Sequence, residues 1–123
     1  MRQAVVIGLG IFGSNLANTL FENGFDVVAI DKKKEMVQRM ANLSTRAIVA
    51  DATDKSILET IGIQPDDIVI VSFGEDLAAS TLLTLHLKEL GVKTIIVKAP
   101  HEDHKRILEM VGATEVIIPE QEM

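Results

Sequence analysis

Two hydrophobic periods take turns along the chain. Residues 3–7, 25–30, 46–50, 68–73, 94–98 and 115–118 are short runs dominated by Val and Ile. Such runs suit strands buried on both faces. Between them the apolar residues recur at helical spacing. Phe12, Leu16, Ala17, Leu20 and Phe21 share one stripe over 12–23, and Met36, Val37, Met40 and Leu43 share another over 33–43. Asp51-Ala52-Thr53-Asp54 supplies capping side chains ahead of Ile57, Leu58 and Ile61, residues 75–90 read as the longest helix, and 101–111 as the last. Gly24, Gly62, Gly91 and Gly112 stand where these helices end, Pro65-Asp66-Asp67 marks a turn, and Pro100 and Pro119 stop strands. The order is βαβαβαβαβαβ. It predicts an α/β fold: a doubly wound parallel sheet of about six strands with helices on both faces.

At 123 residues the chain is the size of one domain, 1–123, able to bury a core without staples. It has no cysteine, which excludes disulfides, thiolate catalysis and cysteine-ligated metals. Its net charge of −6 is the reverse of the basic surface that nucleic acid requires, and four Phe with no Tyr or Trp leave little for base stacking. No apolar run approaches the ~20 residues of a membrane span. Gly8, Gly10 and Gly13 interrupt the N-terminal apolar segment where a leader would continue. A cytoplasmic location without direct membrane insertion is expected, with docking on an integral partner left open.

The first βα junction carries the candidate chemistry. "VVIGLGIFG" places Gly8, Gly10 and Gly13 in a Gly-x-Gly-x-x-Gly spacing that follows a strand and opens a helix. In a dinucleotide-binding turn the first glycine makes the bend, the second lets pyrophosphate approach the backbone, and the third lets helix pack on strand. The helix N-terminus then offers free N–H groups to phosphate. Asp31 ends the second strand eighteen residues after Gly13, where an acidic residue accepts from ribose hydroxyls. A carboxylate there repels a 2′-phosphate and favours adenosine nucleotides or NAD(H) over NADP(H). Lys32, Lys33 and Lys34 follow directly; they argue the other way as cations near the ribose, or are simply a solvated helical turn. Asp51 and Gly74 fall at the carboxyl ends of the third and fourth strands, the edge where such sheets bind ligands, and Asp51 reads equally well as a helix cap.

Catalytic groups are scarce. His86 lies mid-helix, and His101, Asp103 and His104 open a helix without an evident third metal ligand; they read as exposed polar residues. With no tyrosine there is no Tyr-x-x-x-Lys pair, and no second domain supplies a substrate pocket. The nucleotide is expected to be bound and not turned over.

"VIGLGIFGSNLANTL", "VVAIDKKKEMVQ", "VADATDKSILETIGI", "VIVSFGEDLAASTLLTLHLKELGV" and "VKAPHEDHKRILEMVGATEVIIPEQEM" together resemble the N-terminal RCK domain, also called the Trk/Ktr N-terminal domain, over the whole chain. The resemblance implies a Rossmann-like fold that binds NAD(H), ATP or ADP. It also implies dimers assembling into a cytoplasmic ring beneath a membrane potassium-transporting subunit, with nucleotide exchange gating transport. A C-terminal ligand-binding domain usually follows, in line with the abrupt end after Pro119-Glu120-Gln121-Glu122.

By motif match Gly8, Gly10 and Gly13 contact phosphates, with Ile11 and Phe12 in the same turn. Asp31 holds the ribose, Asp51, Ala52 and Thr53 surround the adenine, and Gly74 lines the wall. Lys98 reaches toward the phosphates or a dimer partner, and Glu120 meets a neighbouring subunit and in some members a divalent cation. Ile11 departs from the family: ATP-responsive members often carry a basic residue there, able to grip a terminal phosphate. Two other readings stay open, the dinucleotide-binding half of an oxidoreductase or redox sensor, and the related domain of an antiporter. Oligomerisation is expected to bury apolar residues around Ile107, Leu108 and Val111.

Overall fold

The computed structural model describes residues 3–73 and 76–119. Six strands, β1 (Gln3–Ile7), β2 (Asp26–Asp31), β3 (Arg46–Val49), β4 (Ile68–Val71), β5 (Thr94–Lys98) and β6 (Glu115–Ile117), alternate with five helices. These are α1 (Ile11–Glu22), α2 (Lys34–Arg39), α3 (Lys55–Ile61), α4 (Leu77–Glu89) and α5 (Glu102–Val111). The strands are all parallel, in the order β3-β2-β1-β4-β5-β6. The winding direction reverses between β1 and β4, where Val5 pairs with Val28 on one side and Val69 on the other. A crevice opens at the carboxyl ends of strands that diverge in this way.

The central positions of β1, β2, β4 and β5 are apolar on both sides because both faces of the sheet are covered there, while polar residues such as Gln3, Asp26, Arg46 and Glu115 stand at strand starts. Val5, Ile7, Val69, Val71, Ile95 and Val97 pack with Leu58 of α3, Leu83 and Leu87 of α4, and Leu108 of α5. Ala4, Val6, Val27, Ala29 and Ile70, one residue out of step, pack with Ala17 of α1 and Val37 of α2. The small residues Ala4, Ala17 and Ala29 admit α1 close to the sheet. The turn before β4 is tied by Asp67, whose Oδ2 accepts from the Gln64 N–H (2.8 Å) and from Gln3 Nε2 (3.0 Å).

The class, the number of strands and their order along the chain agree with the sequence reading; several boundaries do not. The second helix stops at Arg39, short of Leu43. The Leu43 N–H turns back to Met40 O (3.0 Å) and the Ser44 hydroxyl donates to the same carbonyl (2.7 Å), so Met40 is buried while Leu43 is exposed. The fourth strand ends at Val71, two residues early, and α4 begins at Leu77 behind Asp76, whose carboxylate accepts the Ala79 N–H (3.0 Å). The cap of α3 is Asp54, which accepts from Ser56, and not Asp51. Leu108, expected on an exposed oligomer face, is core at 1% exposure, because α5 turns that side toward the sheet. Its neighbours Ile107 and Met110 are exposed, and Val111 is half-buried.

Candidate nucleotide-binding site

The chain leaves β1 at Gly8, whose φ of 98° lies in the left-handed region that favours glycine. The Gly8 N–H donates to Ile30 O on β2 (2.8 Å), and its carbonyl accepts from the Ser72 hydroxyl at the end of β4. The Ser72 N–H donates to Ile7 O (2.8 Å), and the Leu9 N–H donates to Asp31 Oδ2 (2.7 Å). Strands β2 and β4 therefore hold the turn from either side of β1.

Gly10 is the N-cap of α1, with ordinary extended geometry, no side-chain cap and no acidic residue in the following turn. The unpaired N–H groups of that turn, with the positive end of the helix dipole, remain available to an anion. A Cβ built on Gly10 meets nothing within 4 Å. A Cβ on Gly13 would lie 2.0 Å from Gly8 O and 2.4 Å from Ser72 Oγ. The third glycine is thus a packing requirement, while the second faces open space that a ligand can fill.

A cleft of about 450 Å³ runs from Gly8, Leu9 and Gly10 across Asp31 and Lys32 to Met36, Asp51, Ala52 and Thr53, with Ser72, Phe73, Asp76 and Lys98 on its other wall. Asp31 accepts the Lys33 N–H on Oδ1 (2.8 Å) as well as Leu9 on Oδ2. A carboxylate has about four acceptor sites, so two remain for a ligand. Asp51 accepts both the hydroxyl (2.6 Å) and the N–H (3.0 Å) of Thr53. These bonds, helped by the charge of Lys32, hold its carboxyl below the ordinary carboxylate range despite partial desolvation. Ala52, buried at 3%, and Met36 make an apolar end to the cleft.

Ile11 and Phe12 face a second groove of about 570 Å³, between α1 and the ends of β5 and β6, where Leu16, Pro100 and Ile118 also contribute. Ile11 is 86% exposed. Lys98 lines both cavities, its Nζ 5.6 Å from the centroid of the Phe12 ring.

The structure thus brings Gly8, Gly10, Asp31, Lys32, Asp51, Ala52, Thr53 and Lys98 to one cleft. It sets Gly13 beneath the turn and places Ile11 and Phe12 in the neighbouring groove. Gly74 and Glu120 lie outside the described residues. The rings of His101 and His104 meet edge-on at 5.6 Å, away from the cleft lining, and among the described residues no group of three His, Cys, Asp or Glu is placed to hold a metal. Sequence reasoning missed Leu9, Ser72, Phe73 and Asp76. The signal for the last three was their place just after the fourth strand, at the carboxyl edge of the sheet.

Comparison with known proteins bears on the family and the fold. The TrkA-N domain matches residues 4–119. Ktr system potassium uptake proteins C and A of Bacillus subtilis (strain 168) are each 42% identical over 122 residues, covering 99% of this chain and 55% of theirs, so the chain spans about half the length of these relatives. The NAD(P)-binding domain of an exopolyphosphatase-related protein from Archaeoglobus fulgidus shares the fold with a TM-score of 0.84 at 24% identity, over 99% of this chain and 91% of that one. The GsuK structure bound to ADP does so with a TM-score of 0.81 at 15% identity, over 94% and 31%. The chain belongs to the TrkA-N domain family.

Proposed function

We propose that this domain is the nucleotide-sensing part of a potassium uptake system. In this reading it binds an adenine nucleotide (ADP or ATP) or NAD(H) and thereby gates a membrane potassium-transporting subunit from the cytoplasmic side. The observation that carries the reading is the open face of Gly10 above a cleft that continues to Asp31 and then to Asp51–Thr53. Phosphate takes the N–H groups at the start of α1, the ribose hydroxyls donate to the free acceptor sites of Asp31, and the base lies on Met36 and Ala52 with the anionic Asp51 beside its amino edge. The two potassium uptake relatives supply the physiological setting.

In this reading the domain acts by binding, not turnover. A ligand shifts a conformational equilibrium only through differential affinity for its states. The states here are those of a homo-oligomer of dimers arranged in a ring, with phosphate count or nicotinamide redox state as the signal. Thermal unfolding in the presence of ADP, ATP, AMP, NAD, NADH and NADPH tests the reading. A ligand at a hundred times its Kd stabilises by about 2.7 kcal/mol, roughly 10 °C for a domain of this size. NADPH is expected to shift the transition least, because Asp31 opposes its 2′-phosphate. No shift with any of the six would refute the reading.

A further inference from the structure

The carbonyl of Gly8 and the N–H of Leu9 belong to one peptide unit, and two side chains grip it at opposite ends. The Ser72 hydroxyl donates to the carbonyl, and Asp31 Oδ2 accepts the N–H at 2.7 Å. Ser72 comes from the end of β4 and Asp31 from the end of β2, the two strands flanking β1. Ser72 is 6% exposed, and Gly8 and Leu9 are buried, so water offers the carbonyl no replacement partner. We propose that Ser72 is a positioning residue for nucleotide binding: with Asp31 it clamps the Gly8–Leu9 peptide and so aims the N–H groups that follow, from Gly10 onward, at the phosphate.

A peptide plane fixed at both its donor and its acceptor cannot rotate. Its orientation sets where the next residue, Gly10, enters α1. Removing the serine donor leaves a buried acceptor unsatisfied, and the plane turns to recover a bond. The clamp also connects the two ends of the ligand, because the carboxylate that holds the peptide N–H is the one assigned to the ribose.

This inference rests on the nucleotide-binding reading, and the test separates the two. ADP and adenosine are titrated into the wild type and Ser72→Ala, followed by amide shifts of Ala52 and Thr53, and amide hydrogen exchange is measured without ligand. Ser72→Ala is expected to weaken ADP about three- to tenfold, the worth of one hydrogen bond, while adenosine, which lacks phosphate, stays within about twofold. The Leu9 amide is expected to exchange at least about fivefold faster relative to the amides of β5 and α5, which report any global loss of stability. Equal weakening of ADP and adenosine, unchanged ADP affinity, or unchanged Leu9 exchange would each overturn the role given to Ser72. Failure of ADP to bind the wild type would instead remove the nucleotide reading itself, and with it the binding role of the clamp.

Discussion

Substituting the second and third glycines of the turn by alanine separates ligand contact from folding. In Gly13→Ala the new methyl lies 2.0 Å from Gly8 O. An ordinary carbon–oxygen approach is about 3.3 Å, so α1 must retreat by about 1.3 Å. The oxygen is backbone and cannot yield, while the Ser72 hydroxyl, 2.4 Å from the methyl, must swing away from it. Overpacking of this kind costs about 1–3 kcal/mol, and loss of the Ser72–Gly8 bond adds about 1–3 more for a buried acceptor left unsatisfied. The expected loss of about 2–6 kcal/mol is a large share of the ~5–15 kcal/mol that holds a domain together. In Gly10→Ala the methyl meets nothing within 4 Å, at a φ of −69° that alanine adopts freely. Its stability is expected within about 0.5 kcal/mol of wild type. Its ADP affinity is expected to fall at least tenfold, about 1.4 kcal/mol, because the methyl occupies the path of the phosphate. Urea unfolding followed by circular dichroism, the chain having neither Trp nor Tyr, and titration calorimetry with ADP make the comparison. Comparable destabilisation by both substitutions, or undiminished ADP binding by Gly10→Ala, would refute the assignment.

Three further outcomes are expected. Thr53→Val removes the hydroxyl that holds Asp51 down, so a ¹³C carboxyl titration should show the Asp51 pKa rising toward its ordinary value. Since the folded pKa is depressed, the stabilisation from this contact is present above the ordinary value of 3.8 and is lost as pH falls through the folded value; the variant and wild type should therefore differ less in strongly acidic solution than near neutrality. Ile11→Arg places a bidentate donor at the mouth of the turn and should raise the affinity for ATP relative to ADP by about tenfold, read by competition calorimetry. Leu83→Ala deletes a fully buried side chain of α4 and should cost about 2–5 kcal/mol in urea unfolding, with ADP affinity at saturating folded protein unchanged.

The fold was legible because both faces of the sheet are covered. The central strands then have apolar middles without alternation, and the helical stripes of α1 and α2 stand out between them. Element ends were less so, since they rest on single side chains whose bonds no periodicity encodes: Ser44 on Met40, Asp76 on Ala79, Asp54 on Ser56. The segment 101–111 read as a helix without showing which side meets the sheet, hence the misplaced Leu108. Within the site, Gly8, Gly10, Asp31 and Asp51 stood out through motif spacing and their place at strand ends. Ser72 has no such spacing. It matters because β4 lies beside β1, a fact of sheet order that a local motif does not carry. The groove beside Ile11 likewise exists only once α1 meets the ends of β5 and β6.

The most direct test is to add ADP to ¹⁵N-labelled protein and map the amide shifts. The largest changes are expected at Gly8–Phe12, at Lys32 and at Ala52–Thr53, with α5 and the amino ends of the strands unmoved. Shifts scattered elsewhere, or none at millimolar ADP, would contradict a nucleotide site in this cleft.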